Sequence, residues 1–520
     1  MKSSDHSFGP ASGHASIGDR SVALRELWSR GARLAQALRE GGVREGDALA
    51  MLMRNDLCFL EAMIAASLLG AYAVPINWHQ KADEVGFILA DAAAPVLLAH
   101  ADLLVDLGAT IPHGVRVIAS PTPSEIQQAY GLDAARGIVA RGVESLEQVI
   151  AAHEELADRS AAGTRGSIIY TSGTTGRPKG VRRAALEPEA ARRFAALSQQ
   201  WFDLRPGVRT VMAGPMYHSA PNTYARSVLH SGGSIALMPR FDAEGLLALI
   251  ERERITHLHL VPTMFVRLLR LPEAVKSRYD LSSLEFVIHG AAPCAREVKQ
   301  AMIDWWGPVI HEYYGATETG MASRSSSEEW LARPGTLGQA WPGRELRVYG
   351  ENGERLAAGQ IGEIYVGLQG VPNFTYLNAD AQRAQVDREG LVTNGDVGYL
   401  DEDGYLFLVD RKKDMVISGG VNIYPAEIEC ALAEHESVAD SAVIGVPDAE
   451  YGERLVAFVL PSDGLILSED VLRGFLKSKL ANFKVPREFV FVDQLPRDDS
   501  GKLMKRKLRD PYWAGRAAAI

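Results

Sequence analysis

The sequence predicts an α/β protein: a large N-terminal domain of layered α/β sheets that includes a small β-rich subdomain, followed by a small α+β C-terminal domain. Three observations predict it. Up to about residue 335, short apolar runs alternate with longer amphipathic stretches, the pattern of strands and helices in a largely parallel sheet. Beyond that point the runs are broken by closely spaced turn signals. And 520 residues exceed what one hydrophobic core supports, so at least two domains are expected.

In chain order, Leu24, Leu27, Trp28, Leu34 and Leu38 recur at near-helical spacing, and ALAMLM at 48–53 then reads as a buried strand. The most apolar stretch, residues 57–75, carries Glu61 in its first third and reads as a buried helix followed by a strand rather than a membrane span. GSIIY (166–170), SIALM (234–238), HLHLV (257–261) and LEFVIHG (284–290) are further strands, each followed by a longer amphipathic segment. The β-rich stretch is punctuated at Glu351-Asn352-Gly353, Ala358-Gly359 and Asp403-Gly404. After Asp414 a compact pattern resumes: helix PAEIECALAEH, strands SAVIGV and LVAFVL, helix EDVLRGFLKSKL, strand EFVFV and a basic tail. The domains are therefore expected at 1–410 and 414–520, with the boundary at Asp410 to Lys413.

Composition narrows the function. The chain is 47% hydrophobic and 23% charged, as in globular proteins, and its net charge of −10 argues against a dedicated nucleic-acid binder. From Val471 onward twelve Lys and Arg stand against five Asp and Glu, a basic end suited to a phosphate-rich small molecule. Cys58, Cys294 and Cys430 lie far apart in sequence and suggest no metal or redox pair, which fits a reducing, cytoplasmic setting. The first twenty residues lack the apolar centre of a signal peptide.

The densest glycine, serine and threonine run is YTSGTTGRPKG at 170–180. Its glycines allow successive amide N–H groups to point at one anion, while Thr171, Ser172, Thr174 and Thr175 add hydroxyls and Lys179 a mobile positive charge. It is not a Walker loop, because Lys179 follows Pro178 and precedes Gly180. It begins at the carboxyl end of GSIIY, where α/β sheets bind ligands.

Further motifs follow in fixed order: PMYHSAP (215–221), HGAAP (289–293), HEYYGATETG (311–320), TNGDVGYL (393–400), DRKKDMVISGGVNIYPAEIE (410–429) and LPRDDSGKLMKRKL (495–508). With YTSGTTGRPKG this set resembles the adenylate-forming superfamily of acyl-CoA synthetases, aryl-CoA ligases, luciferases and peptide-synthetase adenylation domains, over nearly the whole chain. The resemblance implies a carboxylic acid activated by ATP with Mg²⁺, then passed to a thiol such as coenzyme A.

It also implies roles for particular residues. Thr171, Ser172, Gly173, Thr174, Thr175, Gly176 and Lys179 would cradle the β and γ phosphates that leave as pyrophosphate. Tyr314 would stack on adenine, Thr317 would bond the α-phosphate, and Glu318 would bind Mg²⁺. Gly290, Ala291 and Ala292 would line the adenine pocket, Asp396 would bond the ribose hydroxyls and Arg411 would contact ribose or phosphate. Lys502 would bridge carboxylate and α-phosphate during adenylation. Lys413 would be the hinge about which a mobile C-terminal domain rotates, withdrawing Lys502 and bringing Gly419 and Gly420 beside the path of the pantetheine arm.

His218 matches the histidine near the substrate carboxylate in many acyl-CoA synthetases. Residues 217–222 supply no Asp to pair with an amino group, which disfavours an amino acid, and the absence of a following carrier domain favours free coenzyme A. The block from His289 to Gly320 resembles bacterial synthetases for fatty or steroid side-chain acids more than aryl-acid ligases. An aryl acid, or a carrier protein loaded in trans, stays open, as does a homodimer. His289, and Arg182-Arg183 after the phosphate loop, depart from the commonest family pattern.

Overall fold

A computed structural model describes residues 12–157, 163–171, 178–419, 421–462, 467–498 and 503–514. Its first layer is a five-stranded parallel sheet in the order Tyr72–Pro75, Ala48–Leu52, Val96–His100, Arg116–Ser120 and Glu144–Ser145. Ala48–Leu52 and Val96–His100 are buried at every position, which is why both read as unbroken apolar runs. The helices Leu24–Glu40 and Leu57–Leu69 pack together beside this sheet. A Cβ at Gly31 would lie 2.5 Å from Ile64 Cγ2, so the close approach of the two helices depends on that glycine. Asp56 caps the second helix by accepting from Leu57 N–H, and Gly70, with φ at 63°, ends it.

The second sheet has fourteen strands among the described residues. Its parallel centre runs Ser234–Leu237, Arg209–Met212, His257–Leu260, Phe286–His289 and Ile310–Ala316. It then continues antiparallel through Gly320–Ser325, Thr336–Ala340, Tyr405–Arg411, Leu391–Leu400, Gly362–Gly367 and Leu346–Tyr349. The β-rich stretch is thus an extension of the large sheet. Gly353, Gly359 and Gly404 lie at its expected turns with φ of 84°, 77° and 82°.

One sequence expectation is corrected. Of GSIIY, Ser167 bridges in parallel to Ala73 on the edge of the first sheet, but Ile169–Thr171 leaves it and forms a three-stranded antiparallel sheet with Lys179–Arg183 and Phe374–Tyr376. The loop after it is short enough to return the chain on itself as a hairpin, so the strand's partner is its own continuation.

The C-terminal residues form a separate five-stranded sheet in which Val416–Ser418, Val421–Ile423, Val438–Asp448, Gly452–Pro461 and Glu488–Phe491 participate. Helices Pro425–Ala433 and Glu469–Lys479 bury Ile428, Leu432, Leu472 and Leu476 against one face. Leu508 and Tyr512, on the helix Lys505–Trp513, cover Val446 and Phe458 on the other. No helix among the described residues is long and apolar enough to cross a membrane.

Candidate active site

The phosphate loop is closed at its base. Thr171 and Lys179 are register partners across the antiparallel pair, so both ends of the loop meet; Ser172, Gly173, Thr174, Thr175 and Gly176 lie outside the described residues. The third strand of the same small sheet carries Tyr376, paired with Val181. The Tyr376 hydroxyl donates to Glu318 Oε1 at 3.1 Å, and Lys179 Nζ lies 5.6 Å from the centroid of the same ring. Burial, and then the Glu318 charge, push the phenol pKa well up, so the hydroxyl stays a donor. One aromatic residue therefore joins the lysine expected to meet phosphate to the carboxylate expected to hold magnesium. A carboxylate with one oxygen fixed by a hydroxyl is a hard, directed oxygen donor of the kind Mg²⁺ takes.

The residues expected to hold the nucleoside also converge. Tyr314 donates its hydroxyl to Asp396 Oδ2 at 2.7 Å, and Arg411 Nε lies 3.3 Å from Asp396 Oδ1. Asp396 and Arg411 are register partners on adjacent strands. Both Asp396 oxygens are thus engaged within the protein, and the tether fixes the Tyr314 ring. Burial, then Asp396, push the Tyr314 phenol well up. Asn394 Nδ2 donates to Thr319 Oγ1 at 3.3 Å, tying this strand to the turn that carries Thr317 and Glu318. At Gly290 a Cβ would stand 2.5 Å from the Tyr313 ring, so the loop lies against that ring only because position 290 is glycine. Ala291 next to it has φ of 68°, a left-handed conformation that costs a non-glycine residue ~1 kcal/mol and that the surrounding packing must hold.

His218 sits at the N-cap of helix Ser219–Ser231, its ring 4.4 Å from that of Tyr217. The segment before it is pinned by two asparagines. Asn55 donates to Gly214 O at 2.9 Å and accepts from Met216 N–H at 3.0 Å, while Asn222 donates to Met216 O at 3.0 Å. Asn222 in turn accepts from Ser167 Oγ at 2.7 Å, which connects the His218 segment to the chain entering the phosphate loop. His289 points elsewhere: it is fully buried, 3.8 Å from Glu312, whose carboxylate pairs with the fully buried Lys299 at 2.7 Å. Burial, then the Lys299 charge, push His289 well below the usual histidine range, so it is neutral.

Lys502 and Gly420 lie outside the described residues. Arg497 and Leu503, which flank Lys502, pair as an antiparallel bridge, and Arg497 holds Asp440 through two hydrogen bonds of 2.9 and 2.8 Å. Gly419 has φ of 58° and donates its N–H to Tyr451 O at 2.8 Å. The Lys413 carbonyl accepts from Arg509 Nη1 at 3.3 Å.

Sequence reasoning missed Tyr376 and Asn55. Neither lies in a glycine-rich or charged run; each acts through pairing across more than a hundred residues. It also overlooked that Cys58 Sγ, His100 Nε2 and an Asp56 oxygen lie within 4.8 Å of one another, all buried. Hydrogen bonding marks that cluster as structural. His100 Nδ1 accepts from Arg54 N–H at 3.2 Å, so Nε2 carries the proton, facing Asp56 Oδ2 at 3.2 Å, and has no lone pair for a metal.

Residues 11–372 match the family described as AMP-binding enzyme, and 427–502 the AMP-binding enzyme C-terminal domain. The chain is 34% identical to a feruloyl-CoA synthase of an Amycolatopsis species over 501 residues, covering 95% of this chain and 94% of the relative. It is 34% identical over 510 residues, with the same coverage of both, to 3-[(3aS,4S,7aS)-7a-methyl-1,5-dioxo-octahydro-1H-inden-4-yl]propanoyl:CoA ligase of Rhodococcus jostii (strain RHA1). Among solved structures, ATP-bound MatB from Rhodopseudomonas palustris superposes with a TM-score of 0.83 at 29% identity, covering 99% of this chain and 97% of that one.

Proposed function

The chain belongs to the AMP-binding enzyme family and is an AMP-forming acyl-CoA synthetase, and we propose that it activates a hydrophobic fatty, alicyclic or steroid side-chain acid for transfer to coenzyme A. The observation that carries this reading is the convergence of Lys179 and Glu318 on Tyr376, beside the Tyr314–Asp396–Arg411 tether. Such an arrangement would suit a triphosphate running between the lysine and a carboxylate that holds its metal, with the nucleoside end apart.

In the proposed reaction the acid's carboxylate oxygen attacks the α-phosphorus of ATP, the bond to the β-phosphate breaks, and pyrophosphate leaves. Lys179 and the loop from Thr171 stabilise the charge on the departing pyrophosphate. Thr317 donates to the α-phosphate, and Lys502 neutralises both the incoming carboxylate and the α-phosphate, since an ammonium with three donors on a flexible stem follows charge between oxygens. Glu318 would hold Mg²⁺, which when bound neutralises phosphate charge. Tyr314 and the Gly290–Ala292 loop orient adenine, Asp396 and Arg411 the ribose, and His218 the acid's carboxylate. The thiol sulfur of coenzyme A then attacks the acyl carbonyl and AMP leaves.

The C-terminal domain, 414–520, would swing about residues 411–413 at Lys413, taking Lys502 away and bringing the Gly419–Gly420 turn to the pantetheine arm, so that one cleft runs both half-reactions without exposing the adenylate to water. Support for a hydrophobic acid comes from the uncharged segment Tyr217–Asn222 and from the relative that acts on a bicyclic propanoate; the feruloyl relative favours an aryl acid as the second reading. A pyrophosphate-release screen over fatty, alicyclic and aryl acids, with and without coenzyme A, tests it. The expected result is CoA-dependent AMP and thioester with alicyclic or fatty acids. Thioester from aryl acids alone would move the assignment to the second reading, and none from any acid would end it.

A further inference from the structure

Two arginines that the reaction above does not use, Arg183 half-buried and Arg344 buried, stand directly behind Glu318. Arg183, the last residue of strand Lys179–Arg183, donates from Nη2 to Thr317 O at 2.8 Å and to Glu318 O at 3.0 Å, and from Nη1 to Pro372 O at 2.8 Å. Arg344 donates from Nη2 to Thr319 O at 2.5 Å and from Nη1 to Gln369 O at 3.3 Å. Three consecutive carbonyls, 317 to 319, are therefore turned back onto two guanidinium groups, which also tie that turn to residues 369–372. Among the described residues neither guanidinium has a carboxylate within ion-pair distance, and each is solvated by peptide dipoles alone. Burial pulls both down to about 10, opposed at Arg183 by Glu318 and reinforced at Arg344 by the neighbouring Arg183 charge.

From this arrangement we propose that Arg183 and Arg344 are positioning residues for the adenylation half-reaction: by holding the three carbonyls to the rear they keep the Thr317 hydroxyl and the Glu318 carboxylate aimed at the metal-bound triphosphate. A peptide plane is rigid, so fixing successive carbonyl directions fixes the turn. A carbonyl is itself a hard oxygen ligand; drawn back, 317 to 319 leave Glu318 as the turn's donor for a divalent cation. Two positive charges without counter-ions also favour an anion in front of them. The inference rests on the proposed function, because it assigns these residues to the step that consumes Mg·ATP.

Arg183→Leu and Arg183→Lys are compared with the unaltered enzyme in three measurements: Mg²⁺-dependent ATP binding by calorimetry without any acid, pyrophosphate release with the best acid, and thioester formation from supplied acyl-adenylate. Arg183→Leu is expected to raise the half-saturating Mg²⁺ about tenfold and to slow pyrophosphate release about thirtyfold, with the acid's KM and the second half-reaction within about threefold of the parent. Arg183→Lys, which keeps the charge but not the fork, should recover part of both losses. Equal losses in the two half-reactions, or an unchanged Mg²⁺ requirement, overturn the proposal. Should Arg183→Leu fail to fold, Arg344→Lys and Arg183→Lys carry the test through the same Mg²⁺ shift. The calorimetric arm needs no acid, so an enzyme that binds Mg·ATP but makes no thioester would sink the functional reading while the Mg²⁺ shift still decides this one.

Discussion

At the carboxyl end of the N-terminal parallel sheet, a buried carboxylate pairs with an opposite charge, whereas behind Glu318 two guanidinium groups, one buried and one half-buried, hydrogen-bond only to carbonyls. In the first region Arg54 meets both Asp102 oxygens at 3.0 and 2.8 Å, and Asp56 meets the Arg20 guanidinium and accepts a hydrogen bond from the neutral His100 ring. Burial alone would raise the Asp56 pKa, but His100 and Arg20 more than offset it and hold the carboxyl at about 2. In the second region Arg183 and Arg344 have no carboxylate within ion-pair distance among the described residues, and Glu318 acts on Arg183 only from farther off. Mutual pairing cancels the field and locks the fold; solvation by dipoles holds a charge in place and leaves its field for a ligand. Breaking the first should cost stability, and disturbing the second should cost catalysis.

The largest expected effect is on the paired side. Arg54→Met leaves the buried Asp102 carboxylate without its charge partner, held by the Thr122 hydroxyl, and should lower stability by ~3–5 kcal/mol, while the folded fraction keeps activity within about twofold. Denaturant melts and active-site titration separate the two, and a specific-activity loss beyond the folded fraction would erase the contrast. Next comes Glu318→Gln on the other side, expected to slow pyrophosphate release about 100-fold, or ~2.7 kcal/mol, with little change in melting temperature. A drop of several degrees would show that Glu318 also holds the fold.

The third prediction concerns a buried group that stays neutral. Burial lowers His259 to about 4, and its Nε2 lies 3.1 Å from the Tyr313 hydroxyl. Between pH 6.5 and 4 the unfolded chain takes up a proton that the folded chain refuses. The stabilisation is therefore complete above the unfolded value and is lost as pH falls, by ~2 kcal/mol at pH 5. Denaturant melts at pH 7 and pH 5 measure it, and His259→Phe should flatten that slope; an unchanged slope would assign the acid sensitivity to other groups. The smallest effect is expected from Tyr376→Phe. Removing the hydroxyl from the Glu318 carboxylate while keeping the ring near Lys179 should slow adenylation about tenfold, ~1.4 kcal/mol. Wild-type rates in that variant would demote the ring's convergence to packing.

Much of the fold was legible because its signals are local. Leu24–Glu40, Leu57–Leu69, Ser234–Leu237 and Phe286–His289 appear where periodicity and apolar runs place them. GSIIY was expected in the parallel sheet throughout, and an apolar run does not encode where it turns away to pair with its own continuation. The comparisons with known enzymes support the family that the ordered motifs suggested, since glycine, hydroxyl and charged residues at fixed spacing are constraints a chain carries in one dimension. Asp396 and Arg411 could be named from motifs, yet the Tyr314 hydroxyl reaches the Asp396 oxygen that Arg411 leaves free only where residues of the strands Ile310–Ala316 and Leu391–Leu400 meet in space.

The sequence alone thus determined the class of chemistry and the succession of strands and helices, both written in nearest-neighbour pattern. Tertiary structure decided which carbonyls Arg183 and Arg344 grip, how Tyr376 joins Lys179 to Glu318, and that Asp56, Cys58 and His100 form a hydrogen-bonded knot instead of a metal site. Those outcomes depend on distances between residues far apart in the chain and on burial, which sets whether a charge must be paired. Neither distance nor burial is a property of any single stretch of sequence.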